Sequence, residues 1–386
     1  MRTSLLSLRR RWSGSSLGSE STLHQLAPYI GKLKTSIAAA LISAYSRPGD
    51  TVLEPFSGSG VVALEALSQG RNVIANDASP YAAVLTRAKL FPPTSEDAAI
   101  RKAAHYIRAA KRLAKARQHR SEAPCWVKQF FHPKTLAEAH ALTEILRRRG
   151  EWFLLACVLG ILHHQRPGFL SYPSSHLVPY LRLKKFPKLQ FPALYRYRDL
   201  EPRLIAKIRR AYRRAPHIPP ALARSFTARD IRRLNVDHTV DLLLTSPPYM
   251  NALDYGRDNR LRLWFLGVNT YRQLDARNCR TPEEFAELIG RLAVIADECL
   301  SRSGKVVLVV GEVRRKSQSI NTAQIVRRVL TEAGEFQLVD AVQDLVPDLR
   351  RSRRHYCATK REWIMVFERK AAAQGRPSGG KNAATF

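Results

Sequence analysis

Four consecutive residues, Ser246, Pro247, Pro248 and Tyr249, have the chemistry needed to present an amino group for reaction. They follow an apolar run typical of a buried strand, and open α/β sheets place ligands at the carboxyl ends of their strands. The amine of a nucleic-acid base is a poor nucleophile, because its lone pair is delocalised into the ring. The Ser246 hydroxyl and the Pro247 carbonyl can accept hydrogen bonds from such an amine and direct its nitrogen. We therefore interpret residues 246–249 as a catalytic corner.

The other two residues of the catalytic corner fit this interpretation. Paired prolines have no N–H and a fixed φ, so they hold nearby carbonyls in a rigid turn outside the strand ladder. Tyr249 supplies a flat face on which a base turned out of its stack can rest, a contact of roughly 1–3 kcal/mol. The alternative is a turn that ends a strand and places a tyrosine in the core.

A second candidate site lies between a strand predicted over Thr51–Glu54 and a helix predicted from Val61. It consists of Glu54, Pro55, Phe56, Ser57, Gly58, Ser59 and Gly60, which we call the cofactor turn. Glycines at such a junction let the backbone approach a ligand closely, with the helix N-terminus facing it.

Two cofactors compete for the cofactor turn. Gly58, Gly60 and Ala63 satisfy the dinucleotide-binding spacing, which would suit a nicotinamide-dependent oxidoreductase. Glu54 favours S-adenosylmethionine, because a carboxylate there would repel a pyrophosphate but attract the cationic end of the methyl donor. Asp77, after the second strand, would then accept hydrogen bonds from the ribose. The alternative for Asp77 is a helix N-cap.

Strands and helices alternate around both candidate sites. Further strands are predicted over 72–76, 242–244, 305–311, 336–342 and 363–367, and further helices from Ser79 and over 282–300 and 321–333. This order predicts an α/β fold of Rossmann-like type, a mostly parallel sheet with helices on both faces. The predicted division is a basic flexible arm (1–20), a cofactor-binding half (21–92), an insertion (93–224), a catalytic half (225–370) and a flexible tail (371–386).

The insertion begins with helices predicted over 95–118 and 135–165, the latter interrupted by Gly150. It continues over 166–224 with recurrent Pro, Tyr and basic residues. A basic, aromatic-rich segment between two halves of a site predicts target recognition. The alternative is a helical cap that only covers the sheet.

Charge points to the same class of partner. The chain has 64 Lys and Arg against 32 Asp and Glu, a net charge of +32, which favours a nucleic acid, DNA first.

The five cysteines form no CxxC pair, so we expect neither a structural metal nor disulfides. No apolar run has membrane-spanning length, and we expect a cytoplasmic protein. The Ser- and Arg-rich first nineteen residues would also fit an organelle transit peptide. The sequence does not indicate an oligomeric state.

Taken together, these motifs resemble those of the amino-methyltransferases of DNA. The cofactor turn resembles their cofactor motif, and Thr245 to Tyr249 resemble their catalytic motif. Residues 24–32, with Tyr29 and Lys32, resemble the segment that packs over the cofactor. The resemblance also covers Asp230, matching the acid that binds the adenine amine of the donor, Ala78 beside Asp77, and Leu253-Asp254-Tyr255.

The resemblance implies a class I S-adenosylmethionine-dependent methyltransferase that acts on a flipped base, as in restriction–modification systems. A serine before the two prolines is typical of cytosine-N4 enzymes, whereas aspartate or asparagine is typical of adenine-N6 enzymes. The expected activity is therefore DNA cytosine-N4 methylation. Adenine-N6 or RNA methylation, an NAD-type oxidoreductase and a catalytically silent nucleic-acid-binding protein are the alternatives.

Overall fold

The computed structural model describes residues 4–13, 20–118, 122–163, 169–172, 187–250, 255–275, 278–315, 318–332, 335–345 and 361–370. Two features of the sequence analysis lie outside these ranges: Leu253-Asp254 and the tail 371–386. Within the described part of the chain, no helix combines the length and the apolar character needed to cross a membrane.

One sheet of seven strands forms the centre of the molecule. The strands are β1 (Thr51–Glu54), β2 (Asn72–Asn76), β3 (Arg224–Thr227), β4 (Val240–Thr245), β5 (Leu300–Gly311), β6 (Phe336–Leu345) and β7 (Arg361–Arg369). Their spatial order is β3-β2-β1-β4-β5-β7-β6. The first five run parallel, and β7 lies antiparallel between β5 and β6. This confirms the predicted Rossmann-like fold with a mostly parallel sheet. A separate hairpin pairs Val313–Arg315 with Gln318–Ile320.

Fourteen α-helices are described. They are α1 (Leu5–Ser13), α2 (Thr35–Tyr45), α3 (Val61–Ser68), α4 (Pro80–Leu90), α5 (Glu96–Ala116), α6 (Cys125–Lys128), α7 (Pro133–Arg149), α8 (Trp152–Ile161), α9 (Leu200–Tyr212), α10 (Tyr255–Asp258), α11 (Arg260–Phe265), α12 (Tyr271–Asp275), α13 (Pro282–Cys299) and α14 (Thr322–Glu332). Short 3-10 helices cover Thr22–Gln25, Pro192–Tyr195 and Ile231–Arg233.

Alternate residues of the strands bury the two faces of the sheet. On β4, Leu242 and Leu244 pack with α1, α2 and α3, whereas Leu243 packs with α13 and α14. Such alternation follows from the two-residue period of a strand. An uninterrupted apolar run in a parallel strand therefore indicates helices on both sides, as observed.

The strand order reverses at β1, which lies between β2 and β4. Val52 and Leu53 of β1 are in register with Leu242 and Leu243 of β4. The carboxyl ends of β1 and β4 therefore lie side by side. Open α/β sheets bind ligands at such a switch point. The cofactor turn and the catalytic corner leave the sheet here.

The insertion forms a helical layer with its own core. Apolar residues of α5, α7, α8 and α9 pack together with α4 and α11. Gly150, with φ +66°, ends α7 two residues before α8 begins, at the interruption that the sequence predicted. Helix α9 was not predicted, although its buried Leu200, Leu204 and Ile208 follow a four-residue spacing. Residues 164–168 and 173–186 of the insertion lie outside the described ranges.

The predicted flexible arm over residues 1–20 is wrong for Leu5–Ser13, which form α1. Leu5, Leu8 and Trp12 are buried against the sheet, and the Leu5 N–H donates to Asp340 on β6 at 2.7 Å. Burying each leucine stabilises the fold by roughly 1.5–3 kcal/mol relative to exposure. The arginines of this segment suggested a solvated arm, but its apolar residues have a spacing of three and four, which is typical of a helix.

Candidate active site

Two glycines determine the shape of the cofactor turn between β1 and α3. Gly58 and Gly60 have φ angles of +51° and +69°, which residues with a Cβ rarely adopt. A Cβ on Gly58 would lie 3.2 Å from Cε1 of Tyr29, and a Cβ on Gly60 would lie 3.0 Å from Cα of Thr86. The backbone conformation and the crowding both require glycine at these positions.

Glu54 lies beneath the turn and is only 3% exposed. Its carboxylate accepts hydrogen bonds from the N–H groups of Val62 (3.3 Å) and Ala63 (2.8 Å) in the first turn of α3. Burial raises the pKa of Glu54 to about 8, although these two bonds act in the opposite direction. A cation bound in the adjoining cleft would favour the ionised carboxylate.

Asp77 joins the end of β2 to the cofactor turn. Its two carboxylate oxygens accept hydrogen bonds from the N–H of Gly58 (2.7 Å) and the N–H of Ser79 (2.8 Å). Burial raises the pKa of Asp77 to about 6. The N-cap of α4 is Ser79, whose side chain accepts from Ala82. Asp77 is therefore not the helix cap considered as its alternative role.

Asn76 is a site residue that the sequence reasoning missed. Its side-chain amide donates to the carbonyls of Pro55 (3.1 Å) and Arg229 (3.0 Å), and its oxygen accepts from the N–H of Arg229 (3.0 Å). It thus connects the cofactor turn to the loop that carries Asp230. Its position directly before Asp77 was the available signal.

A cleft at the switch point brings most of the predicted residues together. Its empty space, including the open mouth, is about 1240 Å³. Twelve predicted residues line it: Tyr29, Lys32, Glu54, Phe56, Ser57, Gly58, Ser59, Asp77, Ala78, Asp230, Ser246 and Pro248. Pro55, Gly60, Pro247 and Tyr249 are not among its lining residues and belong to the turn and the corner behind it.

The catalytic corner follows β4 directly. The Thr245 hydroxyl donates to the carbonyl of Phe56 at 3.5 Å, which links the corner to the cofactor turn. The Ser246 hydroxyl donates to the Tyr249 hydroxyl at a long 3.4 Å, and Tyr249 donates to Glu362 on β7 at 2.7 Å. Burial and the neighbouring Glu362 carboxylate raise the pKa of Tyr249 well above its ordinary value. No sequence pattern indicated a role for Glu362.

Two tyrosines cover the cleft from different segments. The rings of Tyr29 and Tyr255 lie 6.3 Å apart, and Tyr29 lies 5.9 Å from the buried ring of Tyr81. Both Tyr29 and Tyr255 line the cleft. This cluster supports the predicted position of residues 24–32 above the cofactor turn.

A buried polar chain lies under the turn and was also missed. Lys89 of α4 is 1% exposed, and its ammonium donates to the carbonyl of Ser59 at 2.5 Å. It lies 3.3 Å from Nδ1 of His24, whose Nε2 lies 2.8 Å from Glu65. Burial lowers the pKa of Lys89 to about 7 and raises that of Glu65 to about 7. These contacts of Lys89, His24 and Glu65 connect the turn to α3 and to the segment before α2.

Residues 17–86 match the N6/N4 methyltransferase family model, described as DNA methylase. The match includes residues 24–32, the cofactor turn and Asp77. It confirms the predicted resemblance to the amino-methyltransferases of DNA and the expectation of S-adenosylmethionine as the cofactor. The catalytic corner lies beyond the matched residues.

Three solved structures are among those to which this chain is similar. TrmN from Thermus thermophilus is 16% identical, with 90% of this chain and 53% of TrmN covered at a TM-score of 0.37. A TehB-like SAM-dependent methyltransferase from Corynebacterium glutamicum is 10% identical, with 86% and 87% covered at 0.32. An S-adenosylmethionine-dependent methyltransferase from Clostridium acetobutylicum is 7% identical, with 95% and 98% covered at 0.33. The chain spans about half the length of TrmN. At these TM-scores the assignment of the fold rests on the strand order.

Proposed function

We propose that this protein transfers a methyl group from S-adenosylmethionine to the exocyclic amine of a nucleic-acid base, with cytosine N4 in DNA as the target. The observation that carries the proposal is the shared cleft, which Gly58 of the cofactor turn lines together with Ser246 and Pro248 of the catalytic corner. A donor held by the turn and an amine held by the corner would therefore be within reach of each other.

The turn and its surroundings fit this donor. Asp77 offers a carboxylate to the ribose hydroxyls, and Asp230 offers one to the adenine amine. Glu54 lies where it would attract the cationic amino-acid end. The buried hydroxyl of Ser59 has no hydrogen-bond partner within the described residues, and a bound ligand would supply one. When bound, S-adenosylmethionine supplies an electrophilic methyl group on its sulfonium.

The corner fits an amine acceptor. Because the Ser246 hydroxyl uses its hydrogen toward Tyr249, its lone pairs remain able to accept from an amino group. The fixed φ of Pro247 and Pro248 holds the adjacent carbonyls in place. The corner would thus orient the nitrogen toward the methyl carbon. Transfer would form the N–C bond and break the S–C bond, S-adenosylhomocysteine would be the leaving group, and the methylated amine would release its extra proton to water. Serine in place of aspartate or asparagine supports cytosine as the base.

The direct test uses the purified full-length chain with isotopically labelled S-adenosylmethionine and genomic DNA. Digestion to nucleosides and mass spectrometry should show labelled N4-methylcytosine. Labelled N6-methyladenine, or label only in RNA, would correct the target while keeping the reaction. Binding of a nicotinamide dinucleotide without binding of the methyl donor would overturn the reaction type. DNA binding without donor binding would indicate the catalytically silent alternative.

Replacing the acceptor of the corner should separate chemistry from binding. We expect Ser246→Ala to lower kcat by about 100-fold or more, in the range for loss of one aligned hydrogen-bonding group. The Kd for S-adenosylmethionine should stay unchanged in calorimetry. Ser225→Ala, an exposed serine on the edge strand β3, is the matched control and should retain full activity. Unchanged kcat in Ser246→Ala would remove the serine from the mechanism.

A further inference from the structure

The insertion carries most of the net positive charge of the chain. Residues 93–224 contain 27 Lys or Arg and 8 Asp or Glu, whereas the whole chain contains 64 and 32. About a third of the chain thus holds 19 of its 32 net positive charges. Helix α5 concentrates part of this excess on one face.

Four cations form a single row along α5: Arg101, Arg108, Arg112 and Lys115. All four are exposed. Their spacing places them within an arc of about 60° at 3.6 residues per turn. The opposite side of the helix carries its buried residues, Ala99, Ala103, Ile107, Ala110 and Ala114. We call these four cations the α5 row, and the helix directs it to solvent. His105 is exposed on the same face.

The acidic side chains around α5 are engaged by other bases. These ion pairs are Glu96–Arg209 (3.8 Å), Glu151–Lys102 (2.9 Å), Glu144–Arg117 (3.0 Å) and Asp199–Lys111 (3.0 Å). Among the described residues, no member of the α5 row forms an ion pair, even though Asp97 lies one turn before Arg101. Among the described residues, the bases on the flanks of the helix therefore form ion pairs, whereas the bases of the α5 row do not.

The length of the row matches a nucleic-acid backbone. Fourteen residues separate Arg101 from Lys115, which corresponds to about 21 Å at ~1.5 Å per residue. One strand of duplex DNA places a phosphate about every 3.4 Å along its axis, so the row spans about six phosphates. Unpaired cations of one sign repel each other, and a polyanion relieves that repulsion.

The row is connected to the cleft through packed helices. Helix α5 packs on α7, and His140 of α7 stacks on Trp264 of α11 with ring centroids 4.9 Å apart. Leu263, the neighbour of Trp264, lines the cleft. A substrate held on the row would therefore be held in a defined position relative to the cleft.

We propose that the α5 row binds the phosphate backbone of duplex DNA and fixes its register while a base enters the cleft. This inference rests on the proposed function, since it takes the substrate to be a nucleic acid. Contacts to phosphates position a protein on DNA without selecting its sequence. The row should therefore contribute affinity and salt dependence but no base preference.

The test measures the salt dependence of binding to a fluorescein-labelled random-sequence duplex DNA. The row variant combines Arg101→Gln, Arg108→Gln, Arg112→Gln and Lys115→Gln, because glutamine keeps helix propensity while removing charge. The slope of log K against log salt concentration should become shallower by about 3 to 4, at ~0.9 per phosphate contact. The Kd for S-adenosylmethionine should not change.

The matched control removes four exposed arginines outside the insertion. These are Arg47→Gln in the cofactor-binding half and Arg302→Gln, Arg327→Gln and Arg328→Gln in the catalytic half. It lowers the net charge equally and should change the slope by less than about 1. Equal changes in both variants would show a general charge effect and overturn the inference. If the row variant does not fold, the double variant Arg108→Gln with Arg112→Gln should show about half of the slope change expected for the row variant.

The two proposals fail in different ways. Label transfer by the wild-type chain tests the proposed function, whereas the slope difference tests the row. Methylation of DNA with an unchanged slope in the row variant would reject the row alone. A slope change without any methyl transfer would keep the row and reject the enzyme. A wild-type chain that binds a single strand but not the duplex would overturn the row's role on duplex DNA.

Discussion

The cofactor turn and the catalytic corner face the same cleft, but they are held in different ways. The turn is fixed by buried hydrogen bonds to three neighbouring elements: from Glu54 to α3, from the end of β2 through Asn76 and Asp77, and from Lys89 on α4. The corner is held by a long bond between Ser246 and Tyr249, by the Tyr249–Glu362 bond and by a bond between the Tyr249 backbone and Tyr255. The bond to Glu362 reaches the antiparallel strand β7.

This difference indicates a division of labour. A turn with many buried hydrogen bonds is already in its binding conformation, so it loses little entropy when a donor binds. A corner with fewer restraints can adjust when a base arrives. Substitutions in the turn should therefore affect donor binding and stability, whereas substitutions in the corner should affect the reaction itself.

The largest effect should come from Gly60→Ala. Its φ of +69° and the Thr86 backbone 3.0 Å from a new Cβ combine conformational strain with overpacking. Strain contributes about 1–3 kcal/mol and overpacking about 1–3 kcal/mol. We expect a loss of about 2–6 kcal/mol in the free energy of unfolding, measured by urea denaturation. Gly49→Ala, with φ +91° and no atom within 4 Å, isolates the strain. Equal losses in the two variants would show that the turn is not crowded.

The next effect concerns pH. Because burial raises the pKa of Glu54 to about 8, ionising it for a cationic donor requires loss of a proton. The affinity for S-adenosylmethionine should therefore rise from pH 6 to pH 8, by up to about 100-fold, since the ionised fraction grows tenfold per pH unit below the pKa. Asp77, with a pKa of about 6, adds to the lower part of this rise. Calorimetry on Glu54→Gln should show only that lower part.

Protein stability should respond to pH in the opposite direction. A buried carboxylate with a raised pKa keeps its proton in the folded state after the unfolded state has lost it. The Glu54 contribution therefore falls as pH rises from the ordinary pKa of 4.5, taken for the unfolded state, to about 8. The stability of Glu54→Gln relative to wild type should increase over this window. An unchanged difference would show that Glu54 is ionised throughout.

The smallest effect is expected for the hydroxyl of Tyr249. Tyr249→Phe removes the bond to Glu362 but keeps the ring, so we expect kcat to fall by about 10-fold without a change in donor Kd. Tyr197→Phe is the matched control, because Tyr197 donates to Glu138 at the same 2.7 Å within the insertion. Its kcat should stay near that of wild type. An equal fall in both variants would assign the Tyr249 bond a general structural role.

Local sequence patterns predicted the elements well where apolar periodicity and breakers agree. The strand Thr51–Glu54, the glycine junction before Val61 and the helix beginning at Pro282 were all predicted within about one residue. Helices α1 and α9 were not predicted, although their buried residues have an apolar spacing of three or four residues. Arginines are dense in α1 and prolines lie around α9, and tertiary packing stabilises both helices despite them. Twelve of sixteen predicted site residues line one cleft.

The residues that support the site were not predictable in the same way. Glu362 lies 113 positions from Tyr249, and the two meet because β7 pairs with β5 beside β4. Lys89 lies in the last turn of α4, where a basic residue is usual, yet its ammonium lies under the cofactor turn. Neither position carries a local motif, so only the register of distant elements places them.

The sequence by itself determined the order of strands and helices, the two motifs and the excess of positive charge, because these depend on residue type and short spacing. The tertiary structure alone decided that β1 and β4 lie side by side, so that residues almost 190 positions apart share one cleft. It also decided which bases of α5 find acidic partners and which stay exposed. Pairing across a sheet and between helices depends on the packing of the whole chain, which no local pattern encodes.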